Sequence, residues 1–229
     1  MDGSRLLVGT RKGLFVVDHD GSGWRASAPA FLGDGLSYAA ADPRTGAYWA
    51  CLDHGHWGVK LHRSEDRGAS WDELDVPAYP DGAKVADGSD ATLTYLWTIA
   101  PAGSGEPGRL YAGTEPGGLF VSDDGGASWT LNEPLWNDPT RLTQWFGAGR
   151  DHPGVHSVVV DPRDPDHVLV GVSVAGVFET TDGGENWTPR NVGISSEYLP
   201  DPTSEVGADP HLLVACPSSP DTLWQQNHC

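Results

Sequence analysis

Several residues of this 229-residue chain have the types and spacing to do chemistry. Arg150-Asp151-His152 sets a cation, a carboxylate and an imidazole side by side, with His156 close behind. Asp209 and His211 form a second such group, His228 follows near the C-terminus, and His54-Gly55-His56 is the closest pair of imidazoles. Hydrolysis at a sugar needs a paired acid and base or nucleophile, usually carboxylates roughly 5–9 Å apart. Glu115, Asp151 and Asp209 are the catalytic candidates for that role. Arg11 or Arg150 could hold a ligand carboxylate through two parallel N–H bonds. The imidazoles of His54, His56, His152, His156, His211 and His228 suit ligand binding, and neutral imidazoles also suit zinc, copper, iron or nickel. No HExxH pattern accompanies them, so neither a metal ligand set nor a cofactor is assigned. Each also has a plain structural reading, as a hydrogen-bonded side chain beside a strand.

What positions these residues is a repeat. Trp71, Trp129 and Trp187 recur 58 residues apart, and each closes the same motif. The copies run Ser64-Glu-Asp66-Arg-Gly68-Ala-Ser70-Trp71, Ser122-Asp-Asp124-Gly-Gly126-Ala-Ser128-Trp129 and Thr180-Thr-Asp182-Gly-Gly184-Glu-Asn186-Trp187. A fixed period of this size means one supersecondary unit used again. The turn needs a residue with positive φ, which Gly68, Gly126 and Gly184 supply without a Cβ clash. Asp66, Asp124 and Asp182 are placed to accept backbone N–H bonds across the turn, and the tryptophans cover the hairpin with apolar surface. These acids therefore read as structural pins and not as catalytic groups.

Each unit can be laid out as four strands, a to d, with the motif on the c–d hairpin. In one copy, strand a is His156–Val160, the turn Asp161–Pro165, strand b Val168–Val172 and strand c Gly176–Thr180. The frame predicts blades over about 5–27 (partial), 36–75, 93–132, 155–190 and 210–229 (partial). The a–b and c–d turns then share one face, and the b–c turns and d–a links share the other. The d–a links are long, about 76–91, 133–154 and 191–209, and loops of that length in a compact domain are usually functional or mobile. Arg11, His54, His56, Glu115 and His228 fall on b–c turns, and Arg150, Asp151, His152, His156, Asp209 and His211 on d–a links or the starts of strand a. Six of the nine histidines thus map to one rim. Convergent polar groups of this kind are the default site hypothesis. Trp136 and Trp145, on the same links, read equally as sugar-stacking platforms or as loop anchors.

The motif resembles the Asp box, or BNR repeat, of sialidases, other propeller glycoside hydrolases, sortilin-type receptors and photosystem-assembly factors. The resemblance runs through nearly the whole chain and implies an all-β fold, a β-propeller of four-stranded antiparallel blades with Asp-box c–d hairpins. It also implies that the boxes lie away from a catalytic face. A sialidase would carry an Arg-Ile-Pro segment before the first box, and this sequence has none; the sialidase arginine triad and Tyr/Glu nucleophile pair find no match either. The expected function is a binding or scaffold module for a polar small molecule, glycan or peptide on the b–c/d–a face. A sialidase-like glycoside hydrolase using rim carboxylates is the alternative.

Composition limits the rest. Thirty glycines, eighteen prolines and ten tryptophans fit short strands and tight turns. The net charge of −18, from 32 acids against 14 bases, repels phosphate backbones and argues against nucleic-acid partners. No apolar run approaches a membrane span, and no secretory signal opens the chain, so a cytoplasmic location is expected. Two clusters of oxygens, Asp123-Asp124 and Asp161…Asp164…Asp166, lack the full calcium-loop pattern. The three cysteines, Cys51, Cys216 and Cys229, form no metal-knuckle or disulfide spacing, and Cys51 and Cys216 read as buried thiols. The frame lacks a first strand a and breaks off within a blade. Residues 1–229 therefore read as about four blades' worth of a single longer propeller domain, with a small protein closed by dimerisation as the rival.

Overall fold

The computed structural model describes residues 4–103, 105–147 and 149–228. Cys229 lies outside them. Two compact units form, Met1–Val76 and Pro77–Cys229.

In the first unit, β1 (Arg5–Thr10), β2 (Gly13–His19) and β3 (Trp24–Ala26) form a three-stranded antiparallel sheet. A four-stranded antiparallel sheet follows, in the order β4 (Gly35–Ala41), β5 (Tyr48–His54), β6 (Gly58–Ser64) and β7 (Asp72–Leu74). Strand β5 opens with Tyr-Trp-Ala-Cys-Leu, an apolar run buried throughout, as expected of a strand covered on both faces.

The second unit repeats the plan. One sheet is β8 (Tyr95–Pro101), β9 (Leu110–Glu115), β10 (Leu119–Ser122) and β11 (Thr130–Leu131). After α1 (Glu133–Trp136) and α2 (Arg141–Gln144) come β12 (Val155–Asp161), β13 (Asp164–Val172), β14 (Gly176–Thr180) and β15 (Thr188–Pro189). The hairpin β16 (Pro210–Cys216) and β17 (Ser219–Asn227) ends the series. Strand β12 packs against β8 and β9 on one side and β16 on the other. Leu135, Val155, Val170, Val172 and Phe178 form the buried core. These are β-propeller blades, each a short antiparallel meander whose first strand lies against the next.

The three motif turns are built alike. The Asp66 carboxylate accepts the Ser64 hydroxyl and the Ser70 N–H at 2.8 Å and the Ser70 hydroxyl at 2.6 Å, and Ser64 Oγ accepts the Gly68 N–H at 2.8 Å. Asp124 repeats these bonds with Ser122 and Ser128, and Asp182 with Thr180 and Asn186. The side-chain bond from Ser70, Ser128 or Asn186 is the main reason that all three carboxyls are held at about 2. Gly68, Gly126 and Gly184 sit at φ of +93°, +86° and +97°. The tryptophans are not equivalent in detail. Trp71 meets the Phe31 ring edge-on at 5.2 Å, whereas the Trp187 N–H reaches Asn132 Oδ1 at 3.0 Å. That bond pins one hairpin of the second unit to the preceding sheet.

A regularity absent from the sequence pattern recurs in strand a. In β8, Leu96 pairs with Thr114 and Thr98 with Gly113, so Trp97 is an extra, bulged residue. Ser37 in β4, His156 in β12 and His211 in β16 are extra in the same way. A bulge leaves one residue outside the ladder and re-aims its side chain.

Some expectations need correction. The turn read as Asp161–Pro165 is only Pro162-Arg163, because β13 already starts at Asp164. The 133–154 link is not loop throughout; α1 forms because Asn132 Oδ1 accepts the Leu135 N–H at 3.0 Å as an N-cap and a proline occupies the first turn. Cys51 is buried, and burial pushes its thiol well up, but Cys216 is only half-buried beside the Ser218 hydroxyl. The oxygen clusters have other partners: Asp123 pairs with Arg109 at 2.7 Å, and Asp161 pairs with Arg163 and His167.

Candidate functional site

The bulged residues of the second unit share one cleft. Trp97, His156 and His211 line it together with Arg150, His152, Ser173, Asp209 and Pro210, enclosing about 370 Å³. Successive first strands thus each contribute one re-aimed side chain, while the link from α2 into β12 adds Arg150 and His152 and the link from β15 into β16 adds Asp209.

Arg150 organises one wall. Its guanidinium lies 4.3 Å from the Tyr95 ring centroid and 5.4 Å from that of Trp97, and its Nε bonds the Glu115 carboxylate. Tyr95 and Trp97 stand 4.6 Å apart. The Glu115 side chain is 3% exposed, so the arginine neutralises a buried charge that would otherwise be costly. Gly154 makes the tight fit possible, since a Cβ there would come within 2.3 Å of Trp97 Nε1.

The opposite wall is ordered by a strained turn. Val174, between β13 and β14, has φ +50°, a rare state for a β-branched residue. In that conformation its N–H reaches Asp209 Oδ1 at 3.1 Å. Ser173 ties the same turn to the entry of β12, through Gly154 N–H to Ser173 Oγ at 2.8 Å and Ser173 N–H to the Gly154 carbonyl at 2.9 Å. The other Asp209 oxygen, Oδ2, faces His211 Nε2 at 3.3 Å and His228 Nδ1 at 3.8 Å. Between the walls, His156 bonds Ser157 Oγ through Nδ1 at 2.8 Å, and its Nε2 is buried without a hydrogen bond. Burial lowers the His156 imidazole to about 4, with the Pro210 carbonyl and Asp209 exerting a smaller opposite pull.

Of the residues singled out by sequence, Arg150, His152, His156, Asp209 and His211 meet at this cleft, and His228 joins through Asp209. Glu115 reaches it only through Arg150, as a buried ion-pair partner. Asp151 turns to a neighbouring crevice of about 140 Å³, shared with His152, Trp145, Phe146 and Pro153. Trp136 and Trp145 are buried anchors and not exposed platforms: the Arg141 guanidinium lies 3.6 Å from the Trp136 ring centroid, and Trp145 packs on Phe178 at 5.0 Å. Arg11, His54 and His56 belong to the first unit. There Arg11 is exposed beside the β1–β2 turn, and His54 accepts the N–H groups of His56 and Trp57 while its Nε2 lies 3.4 Å from Asp34. His54 is thus occupied as a turn pin.

Sequence sorting missed Trp97. The 58-residue period sets Trp97 against Val155 and not against His156, so the equivalence of the two shows only in the strand pairing, where each is the extra residue of its bulge. His228 was separated from Asp209 and His211 by the sequence, and the β16–β17 hairpin rejoins them.

Comparison with known proteins agrees with this architecture. The BNR/Asp-box repeat model matches residues 120–131, around the second box. An oligoxyloglucan-reducing end-specific xyloglucanase from Emericella nidulans is 30% identical over 125 residues, which are 54% of this chain and 13% of that protein. Among solved structures, a GH74 enzyme from Niastella koreensis superposes with a TM-score of 0.60 at 21% identity, covering 96% of this chain and 30% of the other. YCF48 bound to D1 peptide superposes with a TM-score of 0.56 at 16% identity, covering 96% of this chain and 56% of the other. At such identities the structural likenesses speak for the fold. Repeats and blades together define a BNR/Asp-box β-propeller chain. It spans only a small part, 13%, of the curated xyloglucanase it matches.

Proposed function

We propose that this chain is a glycan-binding propeller module and that the saccharide occupies the cleft between Trp97 and Asp209. One observation carries the reading: the cleft joins an aromatic side chain, an arginine stacked on aromatics, three imidazoles and a carboxylate in about 370 Å³. Such a lining suits a sugar, which offers apolar C–H faces and a ring of hydroxyls. The xyloglucanase relative supports a xyloglucan oligosaccharide as the ligand class.

Binding is favoured over hydrolysis by the carboxylates. Hydrolysis needs two of them across the glycosidic bond. Among the described residues lining the cleft there is one, Asp209, while Glu115 is engaged by Arg150 and Asp151 faces the adjoining crevice. The test is calorimetric titration with xyloglucan oligosaccharides, run beside a reducing-sugar assay. The expected result is saturable binding without turnover, weakened about tenfold in Trp97→Ala, as loss of a stacking contact of about 1 kcal/mol or more implies. Reducing-sugar release that disappears in Asp209→Asn would establish the hydrolase instead. Absence of binding to any oligosaccharide tried would remove the glycan reading.

A further inference from the structure

The β16–β17 hairpin closes so that its two open ends carry Asp209, His211 and His228. Pro210 pairs with Asn227, and the His228 N–H bonds the Asp209 carbonyl at 2.9 Å, which brings residue 228 opposite residue 209. The bulge at His211 turns its imidazole to the same place. One donor atom from each residue then lies within 4.8 Å of the other two, the only such group of three among the described residues.

We propose that Asp209, His211 and His228 form a binding site for a divalent first-row transition-metal ion, zinc in the first instance. Two imidazoles and one carboxylate are a donor set for zinc or iron. A tetrahedral zinc ion with bonds of about 2.0–2.1 Å spaces its donors roughly 3.3–3.4 Å apart. Asp209 Oδ2 already stands 3.3 Å from His211 Nε2 and 3.8 Å from His228 Nδ1. Loading therefore asks mainly for the two imidazoles to approach each other. Both side chains are well exposed, at 43% and 60%, and their rings already meet at 5.5 Å between centroids, whereas Asp209 is only 7% exposed.

Asp209 is prepared as the fixed ligand. Its Oδ1 is held by the Val174 N–H, delivered from a strained turn, and this leaves Oδ2 directed at the imidazoles. Outer contacts that orient a ligand in this way are a regular part of metal sites, and backbone strain gathers at functional sites. His211 and Asp209 also line the cleft, so open positions on the ion would face its interior. The assignment does not depend on a saccharide binding there.

The test is titration of chelator-treated protein with zinc chloride, with no saccharide present, followed by cobalt loading to read ligand-field absorption. One ion per chain is expected. The double variant His211→Ala/His228→Ala should weaken uptake at least about tenfold with an unchanged circular dichroism spectrum, because both side chains are exposed. Asp209→Asn should weaken it too, since the amide keeps an acceptor for Val174 but loses the charge. Trp97→Ala should leave zinc uptake intact, which separates this proposal from the glycan reading. Failure to take up a stoichiometric ion would overturn it. So would uptake unchanged in the double variant, or uptake lost in His54→Ala/His56→Ala in place of it.

Discussion

At the scale of single residues, burial of His156 sets an acid limit on the second unit. The unfolded chain binds a proton at this imidazole near 6.5, the folded chain only near 4. The unfolded state is therefore favoured as pH falls through that interval, and stability is lost from above downward. At about pH 5 the loss amounts to roughly 2 kcal/mol. Denaturant midpoints at about pH 7 and pH 5, in chelator, should show this slope, and His156→Gln should flatten it; an equal slope in the variant would refute the attribution. A second decline belongs to Asp66, Asp124 and Asp182. Their folded value of about 2 lies below the ordinary 3.8, so their contribution is complete above 3.8 and disappears as pH falls toward 2. The role of these acids was legible in the sequence, since a turn that needs a positive φ and a side-chain acceptor admits few residue types. The state of His156 was not, because desolvation depends on neighbours such as Pro210 and Ser157, the first of them far along the chain.

At the scale of elements, strand b of the second unit's first sheet carries a glycine where the next sheet comes close. A Cβ on Gly113 would stand 2.1 Å from the Val155 carbonyl oxygen and 2.8 Å from Thr98 Cγ2. Backbone cannot yield there as a flexible side chain would. Gly113→Ala should cost about 1–3 kcal/mol in urea unfolding, whereas Gly88→Ala, with nothing within 4 Å of the added carbon, should cost only what its φ of +87° imposes. A variant of Gly113 as stable as the parent would show that the blades do not meet at this point. The strand pattern itself was readable because three Trp-closed hairpins at a fixed spacing mark c–d turns. The bulges were not, since Ser37, Trp97, His156 and His211 share a position and no chemistry. One inserted residue leaves no signature in a run such as Val155-His-Ser-Val158. The α1 start was in view, as Asn132-Glu133-Pro134, but the length of the link masked it.

At the scale of the whole molecule, charge dominates. A net charge of −18 on 229 residues makes the folded chain repel itself, and salt screens that repulsion between charges farther apart than the Debye length, about 8 Å at physiological strength. Raising sodium chloride from about 0.01 M to 0.15 M should raise the melting temperature by about 2–4 °C, the shift that roughly 1 kcal/mol produces in a chain of this size. A fall would mean that surface ion pairs such as Lys60–Glu73 outweigh the net field. The bulges have a further consequence. Each strand resumes its alternation one residue later, so the side chain at that place is released from the in–out rule that binds its neighbours. On the proposed glycan-binding reading, recognition would rest on a few such sockets, and swapping the occupants of positions 97, 156 and 211 would change the ligand preference while the turns and tryptophans stay as they are.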